Sequence, residues 1–141
     1  MDKNLVFLPV LVQILLTIMV FVALGIVKSR AVKLGQVDLE KRALHPDAWP
    51  DSVLKFSNNI NNQFETPVLF YALTTMLWAL NAVDIFALSF AWGFVITRIV
   101  HAYIHTGSNY VPARRMVFTV GCVFLLLLTL LGFESVIAPL L

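Results

Sequence analysis

From Asn4 to Val27 the chain offers an apolar run interrupted only by Gln13 and Thr17. As a helix rising 1.5 Å per residue, such a run of about 24 residues is roughly 36 Å long, enough to cross a bilayer with some tilt. The composition carries the same message along the whole chain. With 60% hydrophobic and only 13% charged residues in 141, and a mean hydropathy of +0.87, it is far too apolar for a soluble domain of this size. The expectation is an all-α integral membrane protein. A cleaved signal peptide fits less well: Met1-Asp2-Lys3 lacks a basic leader, the run is too long, and no small-residue cleavage site follows.

Three further apolar stretches complete the pattern, and the spans are expected at about 4–27, 52–81, 84–106 and 112–133. Together they predict one domain over 1–141, a four-transmembrane-helix bundle. Lys28, Arg30 and Lys33 stop the first helix, and Ser29 to Pro50 reads as a polar loop, with His45 solvated and Trp49 at the membrane interface. Asp51 or Ser52 suits the cap of the second helix, whose first half is rich in amides before it turns apolar at Pro67. Proline has no N–H, so a kink is expected just beyond Glu65. The short link Asn81 to Asp84 makes the second and third spans antiparallel neighbours. Gly107 and Asn109 open a tight turn, and Pro112 suits the first turn of the fourth span.

The charges decide orientation. Of ten Lys and Arg, six (Lys28, Arg30, Lys33, Lys41, Arg42, Lys55) fall between the first span and the apolar half of the second, and Arg114 and Arg115 flank the third loop. The positive-inside rule then puts both termini on the non-cytoplasmic side and the polar halves of spans two and three toward the cytoplasm. The terminal Ala138-Pro139-Leu140-Leu141 carries no retrieval signal, which favours a bacterial inner membrane over the ER. A net charge of +2 without a basic tail excludes nucleic acid as a partner. The single cysteine, Cys122, lies in an apolar run with no basic neighbour to make it reactive, and it excludes an intrachain disulfide.

Ionisable groups inside a membrane helix are expensive and mark functional sites. At 100° per residue, Arg98, His101, His105 and Asn109 fall on one face of the third span, and Lys55, Asn58, Asn62 and Glu65 on one face of the second. Arg98, Arg114 and Lys55 at one depth form an anion site, with Glu65 the natural buried counter-ion of Arg98. Arg114 gains from the free N–H groups at the start of the fourth span. His101 and His105, one turn apart, suit acid, base or hydrogen-bond roles. The same pair has metal-ligand spacing with Glu65 as a third ligand, but the neighbouring arginine disfavours a cation and no metal is expected. Neither an acidic ring nor a repeated half argues for a channel or transporter.

The segments Asn61-Asn62-Gln63-Phe64-Glu65-Thr66-Pro67 and Arg98-Ile-Val-His101-Ala-Tyr-Ile-His105-Thr-Gly107, with Arg114 beyond, resemble the MAPEG superfamily of membrane-associated proteins in eicosanoid and glutathione metabolism. The resemblance covers nearly the whole chain in length, span number and loop pattern. It implies a homotrimer of four-helix bundles, glutathione as cosubstrate between subunits near the cytoplasmic side, and a lipophilic substrate arriving among the membrane lipids. Asn62, Glu65 and Arg98 match the family's polar positions, and Arg114 matches the arginine held to stabilise the thiolate. Lys55 and Asn58 stand where arginines are usual, and His105 where several glutathione-using members have tyrosine. The resemblance and the shared helical faces together assign catalysis to Arg114, His105 and His101, and cosubstrate binding to Lys55, Asn58, Asn62, Glu65, Arg98 and Asn109. The readings it leaves are a thiol-dependent transferase or peroxidase, a non-catalytic lipid- or ligand-binding protein, and an enzyme of the same fold with another anionic cosubstrate.

Overall fold

A computed structural model describes residues 1–140, and these are all-helical, with five α-helices and no strand among them. The helices are α1 (Phe7–Lys33), α2 (Asp51–Gln63), α3 (Thr66–Ala79), α4 (Ile85–Thr106) and α5 (Val111–Ile137), with short 3₁₀ turns at Lys3–Val6, Pro46–Ala48 and Ala138–Leu140. Three segments are long and apolar enough to cross a membrane: Lys3–Lys33, Ile85–Thr106 and Val111–Ile137.

Two spans outrun their expected ends. α1 continues through Lys28 and Arg30 to Lys33, because long cationic side chains keep their heads in water without breaking a helix. It stops where Gly35 takes φ 66, and the Gly35 and Gln36 amides turn back to the Val32 and Ala31 carbonyls. That is a Schellman stop, which needs a left-handed residue. α5 likewise runs on to Ile137, four residues past Phe133.

The region expected as one helix over 52–81 is two. α2 ends at Gln63, Phe64 and Glu65 leave helical geometry (Glu65 φ −94, ψ −96), and α3 restarts at Thr66 with Pro67 in its first turn. Gln63 is the residue four before Pro67, whose carbonyl the proline ring displaces. The cap of α2 is Pro50 with no side-chain bond, so neither Asp51 nor Ser52 caps it. α3 ends at a second left-handed stop, Asn81 (φ 55), and Asp84 then caps α4 by accepting from the Ala87 amide at 2.8 Å.

Below the break the core is apolar. Phe70 of α3 stacks on Phe94 of α4 with centroids 4.7 Å apart, among Leu77, Ala87, Ala91, Val95, Leu125 and Leu128. At the N-terminal end Lys3 Nζ lies 4.7 Å over the Trp78 ring, and Trp78 donates its indole N–H to Asn4 at 2.9 Å. Large apolar side chains cover the outer faces, among them Leu11, Met19, Val22, Leu69, Phe86 and Leu126. The polar groups gather at the opposite end, above Phe70.

Candidate functional site

α4 turns its ionisable groups inward. Arg98, His101 and His105 recur three and four residues apart, and all three are buried, Arg98 at 1% exposure. The break in α2 supplies what Arg98 binds: the end of a helix leaves carbonyls without partners, and Arg98 Nη2 donates to the Asn62 carbonyl at 3.0 Å. Its Cζ also sits 5.9 Å from the Phe118 ring of α5. Arg98 Nε and Nη1, and Nδ1 of both His101 and His105, have no hydrogen-bond partner among the described residues. The two imidazoles stand edge to face with centroids 5.5 Å apart, and His101 lies 5.8 Å from Phe118.

Glu65 is not the buried counter-ion of Arg98. It is exposed, and the only ion pair among the described residues is Lys41 with Asp38 at 3.6 Å. The physical reason is the break itself, which takes residue 65 out of register with Asn62. Asn109 is likewise off the α4 face, since the helix ends at Thr106 and Asn109 sits in the turn at φ 53. There its Oδ1 accepts from Arg114 Nη1 at 2.6 Å, which orients the half-buried guanidinium. Lys55 is tied elsewhere too: its Nζ donates at 3.0 Å to the Gly107 carbonyl at the C-terminal end of α4. Asn58 is exposed, and Asn62 returns its amide to the Asn58 carbonyl at 3.0 Å.

A pocket of about 220 Å³ opens where α2, α4 and α5 meet, lined by Asn62, His101, Val111, Arg114, Arg115 and Phe118. Of the candidates, Asn62, His101 and Arg114 line it directly. Arg98 reaches it through the Asn62 carbonyl, His105 through His101, and Asn109 through Arg114. Lys55, Asn58 and Glu65 do not line it. Among the described residues no carboxylate does, so the lining suits an anion or a polarised sulfur. Among the described residues no three His, Cys, Asp or Glu side chains gather as a metal set.

A second cavity of about 390 Å³ lies between the ends of α1, α2 and α4. Arg30, Gln36, Ser52, Lys55 and Thr106 are its polar lining and Val27, Ala31, Leu34 and Phe56 its apolar wall. Lys55 thus belongs here, with Arg30. Sequence reasoning counted Arg30 and Arg115 only as topological charges and passed over Phe118. The signal for Arg30 was the absence of any helix breaker between Val27 and Gly35, which keeps it on α1.

No curated protein and no solved structure matches this chain. A family model does, over residues 6–133, from the 3₁₀ turn before α1 to the last turns of α5. That match takes in α2, α3, the Arg98 to His105 face and Arg114 together, and by it the chain belongs to the MAPEG family.

Proposed function

We propose that the protein is a membrane-embedded transferase or peroxidase that turns glutathione, or a thiol like it, on lipophilic electrophiles or hydroperoxides. The observation that carries the reading is the pocket in which Arg114, His101 and Asn62 converge with no carboxylate. Members of this family generally use glutathione. A free thiol is mostly protonated at neutral pH, and a guanidinium beside the sulfur in a partly desolvated site favours the thiolate. Arg114, in the first turn of α5 and oriented by Asn109, is the group for that task. The thiolate attacks the electrophilic carbon, or the outer oxygen of a hydroperoxide, and His101 backed by His105 gives the developing anion a hydrogen bond or a proton. Asn62, Asn58 and Glu65 hold the peptide of the cosubstrate, Arg98 holds the backbone of Asn62, and Lys55 with Arg30 takes a carboxylate at the second cavity.

The same reading makes each chain a four-helix protomer, α2 and α3 counting as one broken span, in a trimer whose sites face the cytoplasm. Support comes from Asn58 and Glu65, which lie exposed on a segment whose neighbours Phe64, Val68 and Leu69 are 58%, 49% and 56% exposed. Bare polar groups next to lipid are costly, and another copy covers them.

One observation favours a different cosubstrate. Lys55 already gives one N–H to the Gly107 carbonyl and lacks a guanidinium's bidentate fork, and Asn58 carries no charge, which weakens the hold on the carboxylates of glutathione. Calorimetry of glutathione on the detergent-purified protein separates the readings. Micromolar to millimolar affinity that Arg114→Ala weakens about tenfold or more supports the thiol enzyme, charge-assisted hydrogen bonds being worth about 1.5–3 kcal/mol. No binding by the wild type, and none restored by Asn58→Arg, ends the glutathione reading and turns attention to copurifying lipids. Binding of lipid without thiol-dependent turnover identifies the non-catalytic alternative.

A further inference from the structure

Three side-chain amides are sealed inside the bundle where α1 meets α2: Gln13 at 0% exposure, Asn59 at 0% and Gln63 at 1%. They form a directional chain. Gln13 Nε2 of α1 donates to Gln63 Oε1 at 2.9 Å, and Gln63 Nε2 donates to Asn59 Oδ1 at 3.1 Å. Thr17, one turn after Gln13, adds a longer bond to the same Gln63 oxygen at 3.4 Å. Polar contacts between helices are one of the few forces that fix helix placement where hydrocarbon surrounds the protein.

The position of Gln63 gives this chain its consequence. It is the last residue of α2, and the residue before it, Asn62, has its carbonyl held from the other side by Arg98 of α4. The final turn of α2 is therefore gripped by α1 on one face and by α4 on another. Asn59 and Gln63 point inward, and each follows by one residue a group that the proposed site uses, Asn58 and Asn62. One residue is a 100° turn about the helix axis. Fixing Asn59 and Gln63 against α1 thus sets the rotation at which Asn58 and Asn62 are presented. A helix cut short by Pro67 has no continuous backbone below it to set that rotation.

We infer that Gln13 and Gln63 are positioning residues: they lock the rotation and end-point of α2, and through it the site face carried by Asn58 and Asn62. The assignment of that face to a cosubstrate rests on the proposed function, while the lock itself does not. The test compares the wild type with Gln13→Met/Gln63→Met, which keeps side-chain length and removes the amides, by hydrogen exchange in one detergent and by glutathione calorimetry. Backbone amides of residues 58–66 should exchange about tenfold faster with α5 unchanged, and glutathione should bind about tenfold more weakly. Unchanged exchange over 58–66, or acceleration spread evenly over all helices, overturns the lock. Normal glutathione affinity beside a loosened α2 overturns the positioning role. If the wild type binds no glutathione, the cosubstrate reading fails and the exchange comparison still decides the lock. Should the double variant not purify, Gln13→Met alone carries the same comparison, since it removes the shorter of the two bonds from α1.

Discussion

Arg98 shows at the scale of one residue how this chain sets function against stability. The residue is 1% exposed, and among the described residues its guanidinium has no ion-pair partner and makes one hydrogen bond, to the Asn62 carbonyl. A charged hydrogen bond contributes about 1.5–3 kcal/mol. Holding an unpaired cation out of water costs several kcal/mol, so the balance is unfavourable. Arg98→Met is therefore expected to melt at or above the wild-type temperature in detergent, while glutathione affinity falls about tenfold or more as the end of α2 loses its hold. A variant that melts well below the wild type would mean that Arg98 is a net structural asset, its charge offset by contacts outside the single chain. The spacing of Arg98, His101 and His105 on one inward face was legible from the sequence, since helical periodicity needs nothing else. The partner of Arg98 was not, because a backbone carbonyl carries no residue label and is set free only by the helix break.

At the scale of elements, the three apolar runs long enough to cross a membrane were plain, and so was a distortion near Pro67, which follows from its missing N–H. Their ends were harder. The stop of α1 is governed by Gly35 and not by the charges that precede it, and α2 separates from α3 because the break falls four residues before the proline. The tie from Lys55 to Gly107 and the reach from Asn109 to Arg114 were illegible, since both cross loops whose path no periodicity encodes. Close packing of α4 on α5 also comes only from the fold. A Cβ on Gly121 would stand 2.8 Å from Thr97 Oγ1, a hydroxyl already bonded to the Phe94 carbonyl, and one on Gly93 would meet three Phe124 ring atoms within 2.9 Å. Nothing lies within 4 Å of a Cβ on Gly25. Gly121→Ala and Gly93→Ala should each cost about 1–3 kcal/mol by overpacking, and Gly25→Ala should be neutral or gain up to about 1 kcal/mol from helix propensity. Thermal melts of the three in one detergent check the order. Equal losses at all three sites would mean that the α4–α5 contact is looser than described.

For the whole molecule, its orientation in the bilayer and the cover over its polar flank each have a direct measurement. Of the cations in the last turns of α1 and the segment after it, only Lys41 forms an ion pair among the described residues, with Asp38, and Lys28 lies 4.9 Å over the Trp49 ring, an aromatic suited to a membrane surface. In a Cys122→Ser background, Leu44→Cys, at 85% exposure, should react with a membrane-impermeant maleimide only after the cytoplasmic face is opened, and Asp2→Cys should react from outside. The reverse pattern would move the proposed site to the other side of the membrane. The flank is the sharper case. Glu65 projects from the break between α2 and α3 beside exposed Phe64 and Leu69, so a lone chain would hold a carboxylate against hydrocarbon. The translocon-based cost of an acidic group at mid-bilayer, about 2.5–3.5 kcal/mol, falls if the group is covered by a second chain that supplies donors. Self-association by the α2 face is thus favoured by the same residues that the proposed site needs. Native mass spectrometry should find three 15.8 kDa chains together in mild detergent, and Glu65→Leu should shift the balance toward single chains if the carboxylate is bonded across the interface. A monomeric mass for the wild type would remove the trimer, leaving the 220 Å³ pocket inside one chain as the whole of the site.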